Sequence, residues 1–174
     1  MVTSVSSPTS AARPPHTESE CLRYRLDVVA HSAVDVVQSA GGWLYDRAMA
    51  GWEVTVLLPR GCDEKPLRIL GVHPAELESR LGQPSHSLAV SVEAFTAHDC
   101  VREQVREALA DRLTEVALWG QGWPLGLDRG MTEAQHILSA AAVAFKAQAL
   151  NAAGIDTATV APTETLLTDS NWSG

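Results

Sequence analysis

His31 and Ser32 stand where a short apolar run gives way to a helical pattern, a place where polar side chains can meet a ligand. An imidazole titrates near neutral pH, so His31 could give or accept a proton. The Ser32 hydroxyl and the first main-chain amides of the helix could hold an anion. A structural role fits the same residues, with Ser32 as a helix N-cap and His31 as a turn residue. We favour the structural role for this pair.

Arg60, Gln121 and Trp123 follow later predicted strands and complete a candidate ligand site with His31 and Ser32. Arg60 would pair with an anionic group, and Trp123 would cover an apolar or planar part of the ligand. The sequence thus offers a pocket for a small anionic molecule at the carboxyl ends of the strands. The alternative is that Trp123 and its neighbour Trp119 only close the end of the core.

The segment from Ala30 to Leu57 carries a strand ending in Ala30-His31, the pair Gly41-Gly42, and then AGWEVTVL at 50–57. In outline it resembles the opening of the N-acetylglucosaminyl-phosphatidylinositol de-N-acetylase family, the LmbE-like zinc deacetylases. In that family the strand ends in A-H-P-D-D, a glycine pair follows in the helix, and a similar second strand comes next. The resemblance implies a zinc-dependent deacetylase.

The ligand positions of that motif differ in this chain. Where the family has two aspartates this sequence has Ala33 and Val34, and Asp35 comes one residue later. A catalytic zinc ion needs three protein ligands, and His31 alone cannot supply them. Two other short runs, HPAE at 73–76 and HDC at 98–100, lack a metal-binding spacing and fit helix starts. We therefore predict no metal site.

Nucleotide-binding signatures are missing from the sequence. No G-x-G-x-x-G follows the first strand, and no G-x-x-x-x-G-K-[ST] occurs anywhere. Gly41 and Gly42 fall inside the helix pattern, and close approach of the helix to a neighbour explains them better. The cofactor therefore stays unknown.

Hydrophobic periodicity and turn residues predict alternating strands and helices. The expected strands are Tyr24–Ala30, Glu53–Leu58, Leu67–Leu70, Ser87–Val92, Val116–Trp119 and Thr157–Ala161, and the expected helices are Ala33–Ala50, Pro74–Leu81, one beginning at Asp99, and one from Thr132 to Asn151.

This alternation predicts a three-layer α/β domain, Rossmann-like or flavodoxin-like, with a mainly parallel sheet. Polar residues on the second strand face, namely Asp27, Thr55 and Ser91, leave open a mixed sheet with one partly open face. We expect a single domain over 21–162, between a disordered tail at 1–20 and a flexible tail at 163–174, because the first tail is rich in Ser, Thr, Pro and Ala.

Charge and cysteine content limit the partners and the compartment. The net charge of −8 opposes binding to nucleic acid and to anionic membranes. Three widely spaced cysteines suit a reducing compartment. With no signal peptide and no 18-residue apolar run, we expect a cytoplasmic protein without a membrane span.

The last predicted helix, 134–153, is apolar around most of its circumference. Such a helix packs centrally within a domain or forms an interface. We therefore carry a homodimer through this helix as a hypothesis beside central packing.

From these patterns we predict a small domain with a binding or regulatory role, since no nucleophile, base and orienting group can be assembled. The alternative is a protein or enzyme that binds a small anionic ligand at the strand ends. Whether the chain is an enzyme stays open on the sequence.

Overall fold

The computed structural model describes residues 23–124, 126–127, 130–156 and 159–169. Its elements, in chain order, are β1 Arg25–Val29, α1 Ala33–Met49, β2 Glu53–Leu58, α2 Lys65–Ile69, β3 His73–Glu76, α3 Leu77–Arg80, β4 Ser87–Ser91, α4 Val92–Ala97, α5 Asp99–Ala110, β5 Glu115–Trp119, β6 Thr132–Ile137, α6 Ala140–Ala152 and β7 Thr163–Thr168.

The strands form one mixed sheet in the order β3-β2-β1-β4-β5-β7-β6. The first five of these are parallel, whereas β7 runs antiparallel to both β5 and β6. This confirms the predicted α/β fold with a mainly parallel sheet. Strands β2 and β3 are added on one side of β1, and β4 is then added on the other side, so the strand order reverses between β1 and β4. The carboxyl ends of β1 and β4 therefore flank the crevice in which ligands bind in such sheets.

Helices cover both faces of the sheet and bury two apolar clusters. Side chains from α1, α2 and α6 pack on one face, and side chains from α3, α4 and α5 pack on the other. The second face carries a polar patch, as the strand pattern indicated. Asp27 and Thr55 lie side by side on it, and the Arg80 guanidinium donates to the Thr55 hydroxyl at 3.2 Å and lies 3.8 Å from Asp27. Burial raises the pKa of Asp27.

Two short segments differ from the prediction. The predicted strand Leu67–Leu70 belongs to helix α2, which has a proline in its first turn, Pro66. The helix predicted from Pro74 is instead strand β3 up to Glu76, followed by α3. Proline is tolerated in β3 because this strand lies at the edge of the sheet. Segments of four or five residues are too short for periodicity to distinguish the two states.

The carboxyl-terminal third differs more. The single helix predicted from Thr132 is strand β6 followed by α6, and Ser139 caps α6 by accepting from the Ala142 N–H at 3.0 Å. The strand predicted at 157–161 is not found at 159–161, and residues 157–158 lie outside the described residues. The strand lies instead at 163–168, within the predicted flexible tail, as β7 between β5 and β6. The rest of that tail beyond 169 and the predicted tail 1–20 also lie outside the described residues.

Helix α6 packs within the domain against α1 and α2. Two side chains next to these helices explain the glycine pair in α1. A Cβ on Gly42 would lie 2.5 Å from the Leu138 methyl carbons, and one on Gly41 would lie 3.3 Å from Leu70. The close-approach interpretation of these glycines is confirmed. The homodimer through this region remains a prediction.

A buried ion pair joins α1, α6 and β7. The Lys146 ammonium lies 2.5 Å from the Glu164 carboxylate, and both residues are at most 5% exposed. Glu164 also accepts from the main-chain N–H groups of Gly42 at 2.9 Å and Trp43 at 2.7 Å. Lys146 donates to the carbonyl of Gln38 at 2.7 Å, the group that faces the Gly42 N–H in a regular helix. The ion pair therefore contacts the carbonyl and the N–H that face each other in one turn of α1, and it also binds the N–H of Trp43.

Across the described residues, no helix combines the length and the apolar character that a membrane crossing requires.

Candidate functional site

The candidate site lies where β1, β4 and β5 end, around the first turn of α1. Ser32 is the N-cap of α1, and its hydroxyl accepts from the main-chain N–H of Asp35 at 3.2 Å. Ser91, the last residue of β4, caps α4 in the same way by accepting from Ala94 at 3.1 Å. These two caps fix the helix starts on either side of the crevice.

Asp35 is held in this crevice by hydrogen bonds to its carboxylate. The Trp119 indole N–H donates to its two oxygens at 3.1 and 3.3 Å, and the Ser39 hydroxyl donates at 3.3 Å. Trp119 is only 2% exposed, so the donor is held rigidly by packing. The carboxylate therefore has a fixed orientation.

The pKa of Asp35 is raised above its usual value. Burial is the largest cause; hydrogen bonds from Trp119, Ser91 and Ser39 oppose it, while the negative charge of Glu93 adds to it. A carboxyl group with a raised pKa beside a second acid is a common feature of proton-transfer sites.

Two clefts open near Asp35, which lines neither of them. One has a volume of 390 Å³ and is lined by His31, Val92, Glu93, Thr96, Ala97, Gln121 and Gly122. The other has a volume of 440 Å³ and is lined by Ser39, Leu118, Trp119, Gly120, Gln121, Glu133, Thr165, Leu166 and Leu167. Gln121 lines both. Asp35 links them, since it bonds to Ser39 and Trp119 in the second cleft and is affected by the charge of Glu93 in the first.

The structure brings together only part of the sequence-predicted set. His31 and Gln121 line the same cleft, and Ser32 serves as the N-cap. Arg60 lies elsewhere, at the end of β2, where it pairs with Glu76 at 3.2 Å and Glu78 at 3.5 Å.

Trp123 lines neither cleft. Its ring packs on Phe95 with a centroid distance of 5.1 Å, beside the apolar cluster of the second sheet face. Its position fits the alternative in which this tryptophan closes the end of the core.

Sequence analysis missed Asp35 and Ser91 as site residues, whereas Glu93 follows the predicted strand Ser87–Val92 and so lies among the strand-end residues from which a site is expected. One signal was present for Asp35, which stands three residues after the N-cap Ser32, the spacing of a capping box. In the structure its carboxylate is engaged by Trp119, a residue 84 positions away, and no local pattern reports such a contact.

The zinc site implied by the family resemblance does not fit these residues. The two aspartate positions of the motif hold Ala33, which is buried, and Val34, whose side chain cannot bind a metal. Within the described part of the chain, no group of three or more His, Cys, Asp and Glu side chains could hold a metal ion. The site chemistry is therefore derived from the chain's own side chains.

Solved structures of known proteins share the fold of this chain. The A40926 pseudoaglycone deacetylase Dbv21 is 15% identical, with a TM-score of 0.56 over 87% of this chain and 100% of its own. A deacetylase of teicoplanin biosynthesis, in complex with teicoplanin, is 13% identical, with a TM-score of 0.56 over 83% of this chain and 97% of its own. No family model and no curated protein matches the sequence.

A third solved structure carries a different activity. GalB, the 4-carboxy-2-hydroxymuconate hydratase from Pseudomonas putida KT2440, is 12% identical, with a TM-score of 0.50 over 87% of this chain and 97% of its own. At these identities the likeness establishes a shared fold. The prediction of a binding or regulatory role is nevertheless wrong, because the three solved structures named here, which share this fold, are deacetylases and a hydratase.

Proposed function

We propose that this chain is a hydrolase that removes an acyl group from a substrate nitrogen, with Asp35 as the general base. The observation that carries the proposal is the placement of Asp35, a half-buried carboxyl with a raised pKa, next to residues of two clefts at the strand-order switch. Deacetylases of the same fold support the choice of reaction. Water is a reactant in both deacetylation and hydration, so a fold that positions a water-activating group suits both.

Asp35 would take a proton from the attacking water. A general base works best when its pKa lies near the working pH, and burial together with Glu93 moves the pKa of Asp35 in that direction. Trp119 holds the carboxylate in one orientation, so little free energy is lost in bringing the carboxylate into the reactive geometry.

Gln121 and His31 would act on the other atoms of the scissile bond. The Gln121 amide can donate to the acyl oxygen as negative charge develops there. His31 lines the same cleft and can give a proton to the departing nitrogen. Water oxygen bonds to the acyl carbon, the carbon–nitrogen bond breaks, and the products are a carboxylic acid and an amine.

The test is release of acetate from a panel of N-acetylated amino acids, sugars and peptides. We expect Asp35→Asn to lower kcat/KM at least about 100-fold, since general-base catalysis contributes roughly 10²–10⁴-fold. Glu103→Gln, an exposed carboxylate on α5, is the matched control and should leave the rate unchanged.

A second variant separates the role of His31. His31→Gln should lower kcat with little change in KM, because the proton is needed after the substrate is bound. His86→Gln is its control, since His86 accepts from the Arg25 main chain at the opposite end of the sheet. Full activity in Asp35→Asn would refute the proposal.

A further inference from the structure

Strands β5 and β7 separate partway along their length. They pair only at Ala117–Thr168 and Leu118–Leu167. In the same register Trp119 would face Leu166 and Gly120 would face Thr165. These four residues instead line the 440 Å³ cleft, which we call the strand slot.

Gly120 produces the separation. It has a φ of +95°, which turns the chain away from the line of β5. A Cβ at this position would lie 2.3 Å from the Val92 side chain, so the turn is packed tightly against the start of α4. The slot is therefore built into the fold by a close backbone approach.

The slot is lined from both faces of the sheet. Trp119 and Leu166 belong to the apolar cluster of one face, whereas Leu118 and Leu167 pack on the cluster of the other. At its rim lies the exposed carboxylate of Glu133 on β6. An elongated ligand with an apolar part and a positive charge would match this lining.

We propose that the strand slot binds the main chain of an acylated, positively charged peptide, which lies extended along the edge of β7 beyond the end of β5. The proposal rests on the proposed function, because the slot shares Gln121 with the cleft of His31 and its residues Ser39 and Trp119 bond to Asp35. A peptide held there has its acyl group beside the base.

The edge of β7 that extends past the end of β5 at Trp119 favours a peptide over other acylated compounds. A strand edge presents main-chain N–H and C=O groups at the spacing of an extended peptide, which is the basis of recognition by β-augmentation. The rim charge of Glu133 and the net charge of −8 select a basic sequence.

The probe is a fluorescein-labelled hexapeptide that contains one Nε-acetyl-lysine and one arginine. Its comparison peptide has the same sequence with alternate main-chain nitrogens methylated, which removes the donors on one edge. We expect methylation to lower kcat/KM at least about tenfold, since several hydrogen bonds are lost. Glu133→Lys should lower kcat/KM for the arginine peptide about tenfold and raise it for a glutamate version.

Gln135→Lys is the matched control, because Gln135 is exposed on β6 but does not line the slot. Equal hydrolysis of the methylated and parent peptides, or equal effects of the Glu133 and Gln135 changes, would overturn the peptide proposal. Acetate release from acetyl-lysine alone, and its loss in Asp35→Asn, would still support the hydrolase.

Peptide binding is also measured by anisotropy with the Asp35→Asn variant, which reports on the slot apart from catalysis. Binding that depends on Glu133 in this variant supports the slot even if the hydrolase proposal fails. Absence of peptide binding in both the variant and the unaltered protein overturns the slot.

Discussion

Two acidic side chains of this protein are held by nearby groups in opposite ways. Glu164 is buried against the ammonium of Lys146 and accepts from two main-chain N–H groups. Asp35 is held by neutral donors, Trp119 and two serines, and the charge acting on it most strongly is that of another acid, Glu93.

The difference indicates which acid supports the fold and which is available for chemistry. Glu164 has a cation and two main-chain donors that compensate its burial. A carboxyl held by neutral donors near a second negative charge binds a proton more readily. Burial alone therefore does not identify a functional acid. The two acids differ in whether an opposite charge compensates the burial of the carboxyl group.

The largest expected effect is on the ion pair. Lys146→Met leaves Glu164 buried without its cation, and breaking a buried pair in this way costs about 3–5 kcal/mol of unfolding free energy. Urea denaturation followed by circular dichroism measures it, with the exposed Lys65→Met as control. Lys146→Met combined with Glu164→Leu should recover part of the loss; a double variant as unstable as the single one contradicts the explanation.

The next effect concerns the glycine beside the pair. Gly42→Ala places a Cβ 2.5 Å from the Leu138 methyl carbons, and we expect a loss of about 1–3 kcal/mol, the usual cost of overpacking. In an open helix the same change would stabilise by roughly 1 kcal/mol. Addition of Leu138→Ala should reduce the penalty of Gly42→Ala in a double-mutant cycle. Independent, additive effects of the two changes would argue against the contact.

At the Asp35 site, Trp119→Phe keeps an aromatic ring and removes the N–H. This donor lowers the pKa of Asp35, so its loss raises that pKa further. Because the base must be deprotonated, the acidic limb of the pH–rate profile should move to higher pH. Trp52→Phe, a change in a ring that stacks on Tyr24 away from the site, should leave the limb in place. An unmoved limb in Trp119→Phe would remove Asp35 from the role of base.

The smallest effect is a pH-dependent change of stability. Burial raises the pKa of Asp35 above 3.8 in the folded protein. The stability that this shift gives the folded state is therefore fully present below pH 3.8 and is lost as pH rises through the folded-state pKa. Asp35→Asn stays neutral, so its stability relative to the unaltered protein should increase with pH across that window.

Asp46 supplies a control of opposite sign. Burial alone would raise the pKa of Asp46, but hydrogen bonds from Ser139 and His136 bring it below its usual value of 3.8. Its contribution is present above pH 3.8 and is lost as pH falls through the lowered value. Asp46→Asn should therefore be less stable at neutral pH, and the difference should disappear on acidification. If the stability of Asp35→Asn and of Asp46→Asn, each relative to the unaltered protein, changed with pH in the same direction, the opposite pKa shifts of Asp35 and Asp46 would be contradicted.

The amino-terminal half of the fold was predictable because its signals are local. The helix expected over Ala33–Ala50 is α1, and the expected Glu53–Leu58 strand is β2, since helical spacing, an N-cap serine and strict alternation lie within single segments. Only the site residues His31 and Gln121 share a cleft, because their strands end at the same edge of a parallel sheet. Arg60 follows a strand on the other side of β1 and forms ion pairs with Glu76 and Glu78.

The carboxyl-terminal third could not be predicted in the same way. Residues 132–137 and 163–168 form strands because they pair with each other and because β7 also pairs with β5, over separations that no local window contains. The spacing of Thr132 and Gln135 matches a capping box and predicts a helix start there, but α6 begins after Ser139.

The sequence by itself determined the class of fold and the first helix with its cap, because propensity and periodicity act between residues close along the chain. The tertiary structure decided the strand order, the parting of β5 from β7, and the burial and second acid that raise the pKa of Asp35. A pKa depends on burial and on charges within a few ångströms, and only folding brings Trp119 and Glu93 to that distance.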